Sequence, residues 1–578
     1  MKTRSSSVID GIDRAVREFA DCDALQTADR SISYRELGEL VDELTSRLET
    51  RTAPGEFVGI DGSRGMGAVV AMVAALKAGR PFVVLDSRDS ASSNSAKVGL
   101  LGVRLQTRSG SGDGQVELVE VPARWRTSDH GPVGRHRPLR GLPVADAEIG
   151  YAIHTSGSTG EPKCVLVRAA ALAPVIEDHV ERLSVRPGCA TLQFARLTFD
   201  GCITEIFWTL TAGARLVVLD EARLAPGAVL QDSLERYGIT HLKTTPFALT
   251  ATEPSTAMRL EHVINGGGAC RPSVLRTWSA VAGFHNAYGL TETTVCNLLS
   301  APLDPDRYRQ RVPLGELVGD CRYQLRAVDA AAEPDDGVLT RGELVIVGNS
   351  VALGYLTADG LQPFGGDTDA TRAYPTGDLV ELRDGQLYFV ERLDRQVKVR
   401  GYRLDPGEIE NAVCGLESVR DAVVVAESHD GAAGELDALV CYYRGEPDPR
   451  SVREQLEGIL DPYKIPSVFT RVETFPHTAN GKLDRDALRA GRRASAAGDD
   501  CADTTAADLQ VLQLVCNLTG VSDVGWQDNF FEVGGDSASA VVLVDKLKQL
   551  GWIDAGVRDV LRAPDLRALA DQLPERGV

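Results

Sequence analysis

A chain of 578 residues is too long for one hydrophobic core, and its length suggests roughly three or four domains. Its 82 acidic against 62 basic residues leave a formal net charge of −20, the wrong sign for a reader of phosphate backbone, so nucleic acid is not an expected partner. The composition, 43% hydrophobic and 25% charged, is that of a soluble globular protein, with no apolar run near the roughly 20 residues of a membrane span and no signal-peptide pattern in MKTRSSSVIDGIDRAV, so a cytoplasmic location and no membrane partner are expected.

From about residue 30 to 390 short β-type runs (EFVGI, PFVVLD, ARLVVLD, GELVIVG) alternate with helix-like stretches (SYRELGELVDELTSRLET, GAVVAMVAALKAG), which predicts layered α/β architecture. The stretch 104–145 is poorer in pattern, and RSGSGDG within it reads as a loop. The run GITHLKTTPF, 238–247, reads as a short strand carrying Lys243, either an ammonium that snorkels to water or a charge kept in a pocket for a ligand's anion. A second αβ pattern, with VRDAVVVAES and ELDALVCYY, fills about 395–490. The small, polar, aperiodic segment 490–508 has the composition of a tether, and the helical patterns beyond it predict a small bundle. The 11 cysteines include no CxxC pair, and Cys202, Cys296, Cys414 and Cys441 sit in apolar runs, so core thiols are expected rather than a zinc site or disulfide framework.

The stretch YAIHTSGSTGEPKC, 151–164, joins a strand-like entry to glycines and hydroxyls and then to a lysine. Gly157 and Gly160 let backbone wrap closely, and Thr155, Ser156, Ser158 and Thr159 supply hydroxyl donors, which makes either a phosphate cradle or an ordinary Ser/Gly turn. Walker spacing and a GxSxG elbow are both absent.

Taken with NAYGLTETT (286–294), YPTGD (374–378), ERLDRQVKVRGYRLDPGEIE (391–410) and NGKLDR (480–485), this stretch closely resembles the adenylation domains of nonribosomal peptide synthetases, in family order and spacing across about 30–490. The tail DNFFEVGGDSASAV, 528–541, similarly resembles a peptidyl carrier protein. The resemblance implies a large adenylation subdomain over 1–393, a small mobile α+β subdomain over 394–490, a linker over 491–504 and an all-α carrier bundle over 505–578. It also implies the activity, in which ATP converts an amino acid to aminoacyl-AMP with release of pyrophosphate. The aminoacyl group then passes as a thioester to a 4'-phosphopantetheine arm.

By the same resemblance Lys482 is the mobile catalytic lysine, where an isolated lysine in NGKLDR would be a turn residue. Thr155 and Ser156 join it in catalysis, and the cradle from Thr155 through Gly160, with Lys163, holds phosphates. Glu292 matches the Mg2+ ligand, a hard oxygen donor for a hard cation, and Thr291 the α-phosphate contact. Tyr288 would pack on adenine, with Ala287 beside it and Asn286 reading the exocyclic amine, while Asp378 and Arg392 would meet the ribose and Asp394 would be the hinge. Two positions depart from the family pattern: Glu391 stands where glycine usually precedes Arg392, and Cys164 where PKG is usual. Ser537, after Gly-Gly-Asp, is the implied phosphopantetheine attachment site, although a serine there would otherwise read as a helix cap.

Asp200 matches the aspartate that pairs with a substrate's α-amino group, which disfavours an acyl-CoA-forming ligase. The remaining pocket positions are Gly201, Thr204, Lys243, Ile264, Gly266, Ala287, Val295 and Cys296. Most are small or apolar, so the Lys243 charge points to an acidic side chain. The run Asp, x, Thr, Lys at the first four positions resembles pockets for aspartate or asparagine, which implies aspartate, asparagine or a β-substituted relative, with Gly201 leaving space for something larger and a glutamate-like or diamino substrate as the alternative. A non-catalytic scaffold would be expected to lose one of Lys482, Glu292, Asp378 or Ser537, and all are present. Expected partners are the amino acid, a phosphopantetheinyl transferase and a condensation or tailoring enzyme acting in trans, since the two domains consume the chain; a small MbtH-like protein is a further candidate.

Overall fold

The computed structural model describes residues 7–109, 114–128, 131–132, 149–155, 163–328, 340–365, 372–394, 396–399, 402–427, 438–476 and, in shorter pieces, parts of 485–572. The chain forms two compact units, with the division between them after Asp394.

The first unit holds, among the described residues, a nine-stranded, an eight-stranded and a four-stranded sheet. In the nine-stranded sheet Ala190–Leu192, His241–Thr244, His262–Asn265 and Gly283–Tyr288 run parallel, so their carboxyl ends open on one edge, where doubly wound sheets place ligands. In the helix Met66–Lys77 every residue from Met66 to Ala75 is buried, and in Gly201–Thr211 every residue from Cys202 to Leu210. Helices apolar on all sides must lie between layers. One core cluster accordingly joins Val58, Ile60 and Phe82 of the eight-stranded sheet to Leu25 and Leu216 of the nine-stranded one through Val69, Met72, Ile206 and Phe207.

Local sequence sets the helix ends. In SYRE, Ser33 Oγ accepts the Glu36 N–H at 3.2 Å and Glu36 returns a carboxylate to the Ser33 N–H at 2.8 Å, a capping box that starts Tyr34–Arg51. The strand expected over 238–247 is shorter, covering His241–Thr244, because Thr245 caps the helix Pro246–Ala251 and Pro246 supplies its first residue. The weakly patterned 104–145 stretch contains an antiparallel pair, Leu105–Ser109 with Val116–Glu120. Five-residue strands carry too few alternations to stand out in sequence.

In the second unit the helices Pro406–Cys414 and Pro449–Glu457 pack on the sheet Val419–Glu427, Ala438–Gly445, Val468–Arg471 around Ile409, Val424, Cys441, Val452 and Leu456. Each begins with Asp-Pro, where Asp405 and Asp448 accept the N–H groups of Gly407 and Ser451. Cys414 is exposed, contrary to its expected place in the core: it ends its helix on the solvent side while Val413 points inward. The helices Ala506–Thr519, Ser537–Gln549 and Leu566–Gln572 share a core of Val511, Val515, Leu543, Leu547, Leu566 and Leu569, the expected helical bundle.

Candidate functional site

Asp200 stands at the N-terminus of the Gly201–Thr211 helix but does not cap it. Its Oδ2 is buried without a hydrogen-bond partner, and Thr291 lies near its side chain. Burial pushes its pKa above the usual carboxylate range, opposed by the neighbouring Thr291 hydroxyl and the charge of Lys243 and reinforced by Glu292. A carboxylate in that state is stabilised by an incoming cation.

One turn along the helix, Thr204 accepts a hydrogen bond from Lys243 Nζ at 2.6 Å. Lys243 is half-buried near the carboxyl end of its strand, in register with Ile264, and Gly266 lies so close that a Cβ there would stand 3.4 Å from Lys243 Cε. Lys243 forms no ion pair among the described residues, so one of its three donors is used by Thr204 and two remain. A Cβ at Gly201 would lie 3.3 Å from that of Ala195. Ala287 and Cys296 are buried and Val295 partly so, all three packed in the main core cluster with Ile264. The Cys296 thiol is pushed up to about 11 by burial. Thr294 and Val295 have φ of 65° and 63°, left-handed backbone that is strained for β-branched residues, and such strain concentrates at functional sites.

A second group adjoins it. Tyr288, at the end of its strand, donates to Asp378 Oδ2 at 2.6 Å, and Arg392 Nη1 donates to Asp378 Oδ1 at 2.7 Å. Burial first, then the Asp378 charge, drives the Tyr288 pKa well up, so the phenol stays a donor. The amide of Asn286 is engaged on both atoms, accepting from Asn265 at 2.9 Å and donating to Pro313 O at 2.8 Å, which leaves one carbonyl lone pair and one N–H. Glu391 is exposed on a strand paired with Leu379, so its side chain is accommodated where the family pattern has glycine. Cys164 is buried within a strand between His154 and Leu356 as a core thiol.

Glu292 is 3% exposed and accepts the Tyr355 hydroxyl at 2.6 Å; that hydroxyl also meets Tyr374 at 2.9 Å, and Lys163 Nζ sits 3.8 Å above the Tyr355 ring. Residues 12–356 match the AMP-binding enzyme family, 408–482 match its C-terminal domain and 510–573 match the phosphopantetheine attachment site. The chain belongs to the AMP-binding enzymes.

This AMP-binding enzyme is 31% identical over 576 residues to bacitracin synthase 3 of Bacillus licheniformis, a match covering 96% of the chain and 9% of that protein. It is also 31% identical over 578 residues to the phosphinothricin tripeptide synthetase PhsC of Streptomyces viridochromogenes, covering 97% of the chain and 52% of that protein. The chain therefore spans well under two thirds of these relatives. Among solved structures it resembles holo-PA1221, a nonribosomal peptide synthetase protein with adenylation and carrier domains bound to a vinylsulfonamide inhibitor, at 25% identity and TM-score 0.77, over 99% of this chain and 97% of that one. It also resembles the four-domain synthetase AB3403 bound to AMP and glycine, at 26% identity and TM-score 0.55, over 98% of this chain and 42% of that one. The AMP-binding enzyme is thus an adenylation domain fused to a carrier domain.

Of the residues singled out from sequence, Asp200, Thr204, Lys243, Tyr288, Thr291, Glu292, Asp378, Arg392 and Asp394 are described with their partners, all in the first unit. Ser156 through Gly160 and Lys482 lie outside the described residues; Thr155 is described as backbone at the end of a strand, and Ser537 as the first residue of its helix. Among the described residues no helix is long and apolar enough to cross a membrane. Sequence reasoning missed Tyr355, which donates to Glu292, Tyr374, whose hydroxyl meets that of Tyr355, and the buried Glu205 beside Thr204. Tyr355 follows the strand GELVIVG in VALGYL, where a phenol among apolar residues signals a buried polar contact.

Proposed function

We propose that this enzyme activates an α-amino acid with ATP as aminoacyl-AMP and passes it to a phosphopantetheine thiol on Ser537 of its own carrier domain. The observation that carries this is the buried, unpartnered Oδ2 of Asp200, a site for a substrate ammonium beside a nucleotide-type cluster. Asp200 would hold the α-amino group and its neighbour Thr291 would meet the α-phosphate, so the two substrates would be held side by side. Asp378 has lone pairs left for a ribose diol, and the Tyr288 ring suits adenine. The donor set at Glu292, one buried carboxylate oriented by Tyr355, fits Mg2+, which takes one or two protein carboxylates together with nucleotide phosphates. Bound there, the cation supplies neutralisation of phosphate charge. Lys482 would bring a further positive charge to the carboxylate attack on the α-phosphorus, with Thr155, Ser156 and the rest of the cradle holding phosphates in line. Asp394, at the unit division, is the proposed hinge.

For the side chain, the two remaining Lys243 donors favour a substrate with a carboxylate or amide acceptor, aspartate or asparagine in type. The chain that delivers the product is proposed to meet a phosphopantetheinyl transferase and a separate condensation or tailoring enzyme. Intact-mass measurement of the pantetheinylated chain offered mixed amino acids and ATP tests the whole proposal: one added aminoacyl mass is expected, absent from Ser537→Ala, which should retain ATP–pyrophosphate exchange. Exchange that prefers leucine or phenylalanine would remove the acidic or amide substrate.

A further inference from the structure

The segment Gln193–Asp200 joins the Ala190–Leu192 strand to the Gly201–Thr211 helix and ends on the proposed ammonium partner. It lies outside helix and strand, yet two distant side chains take up the polar backbone groups at its start. Glu205, fully buried in the helix, accepts the N–H groups of Phe194 and Ala195, each at 3.1 Å. Arg64 reaches the same stretch from 129 residues earlier in sequence, donating to the Gln193 carbonyl at 3.0 Å and to Gln193 Oε1 at 2.6 Å. It also donates to the Phe194 carbonyl at 2.5 Å, with its side chain only 4% exposed and its Nε held by Glu221 at 2.9 Å. Gln193 closes the set by donating to Ala195 O at 2.5 Å and Glu205 Oε2 at 3.1 Å.

This clamp abuts the pocket at two points. Ala195 fills the space beside Gly201, and Glu205 is the chain neighbour of Thr204, the acceptor of Lys243. A shift of the 193–195 backbone would therefore move Asp200 and the pocket wall together. We propose that Arg64 and Glu205 are positioning residues for the amino-acid site, fixing Asp200 and the Gly201 wall by holding the backbone of residues 193–195 from its carbonyl and amide sides. The proposal rests on Asp200 being the substrate's ammonium partner.

Protonation of Glu205 would withdraw acceptor capacity from Phe194 and Ala195. Burial lifts its pKa to about 7, against the charges of Lys243 on the neighbouring strand and Arg64 from the loop before the Met66–Lys77 helix; Asp200 and the Cys202 thiol face the same space. The amino-acid site should therefore loosen as pH falls through that value, while the nucleotide site should not.

The test uses the full chain in ATP–pyrophosphate exchange with L-aspartate, or with whichever amino acid ranks first in a panel of twenty. Arg64→Met, which removes all three bonds from Arg64 to residues 193–194, should raise the amino-acid KM about tenfold, with the ATP KM within about twofold; Arg64→Lys should recover part of the loss. In the parent protein the amino-acid KM should rise below about pH 7, and Glu205→Gln should flatten that profile. Hydrogen exchange at the Phe194 and Ala195 amides should accelerate in both variants while Cys202–Leu210 stays protected. Unchanged protection of those two amides, or equal shifts in both KM values, overturns the clamp. Asp200→Ala is the control: if it leaves the amino-acid KM unaltered, the assignment of the site fails, and amide exchange still decides the clamp by itself.

Discussion

Arg392 donates to Asp378 at 2.7 Å, with 12% of the arginine side chain and 2% of the aspartate exposed. The same guanidinium gives Nε and Nη2 to the two oxygens of Asp394, at 2.9 and 2.6 Å. One side chain thus couples the proposed ribose acceptor to the proposed hinge residue. Arg392→Met should raise the ATP KM at least tenfold in exchange assays, and leaving Asp378 without its cation should lower stability by about 3–5 kcal/mol, read from urea unfolding. Gly377→Ala should behave similarly: φ is 72° there, and a Cβ would stand 2.8 Å from Arg392 Nη2.

Lys243→Met separates folding from selection. The lysine is half-buried and, among the described residues, its side chain bonds to Thr204 alone, so replacing it with an apolar chain of similar length should change the melting temperature by no more than a few degrees. Exchange with an aspartate-like substrate should fall about a hundredfold, the loss of a buried charge-assisted contact. Equal activity with aspartate in the variant would remove Lys243 as the selector.

Tyr355→Phe removes the hydroxyl that orients Glu292 and links it to Tyr374, leaving the ring to keep its edge-on packing with Phe364 at 4.7 Å. The Mg2+ concentration for half-maximal exchange should rise several-fold, with the amino-acid KM unaltered. A titration of exchange rate against Mg2+ at saturating ATP reads this directly.

The layered α/β architecture and the helical bundle were legible because buried helices and parallel strands leave long apolar runs, as in GAVVAMVAALKAG and PFVVLD. The site was legible where one short motif carries both backbone shape and chemistry, as with NAYGLTETT. It was not legible where a residue acts across the fold. Nothing in DGSRGM says that Arg64 will bond Gln193, and nothing in TEIFW separates Glu205 from a helix-surface glutamate, because those contacts arise only once the strands are assembled. The close approach of Ala195, six residues earlier, to Gly201 is hidden for the same reason.

Three histidines on adjacent parallel strands give the protein an acid limit. His285 Nδ1 lies 2.8 Å from Ser300 O and its Nε2 2.9 Å from His262 Nδ1, while His241 Nε2 lies 2.8 Å from Leu183 O. If His285 donates to Ser300 from Nδ1, its Nε2 must accept from His262, an arrangement that survives only while His285 is neutral. Burial accordingly depresses His241 and His285 to about 4 and lowers His262 as well. The unfolded chain binds these protons near pH 6.5 and the folded chain only near pH 4, so stability is complete above about pH 6.5 and is lost as pH falls toward 4, on the order of 3 kcal/mol for each fully buried ring. The Glu261–Arg186 pair is solvent-screened and also weakens on acidification, but in the lower, carboxylate range. Urea midpoints measured from pH 7.5 to 4.5 should therefore fall steadily below about pH 6.5, and His285→Gln should be less stable at neutral pH but show a shallower fall. Midpoints that hold constant down to pH 4.5 would mean that the rings accept protons without breaking the ladder.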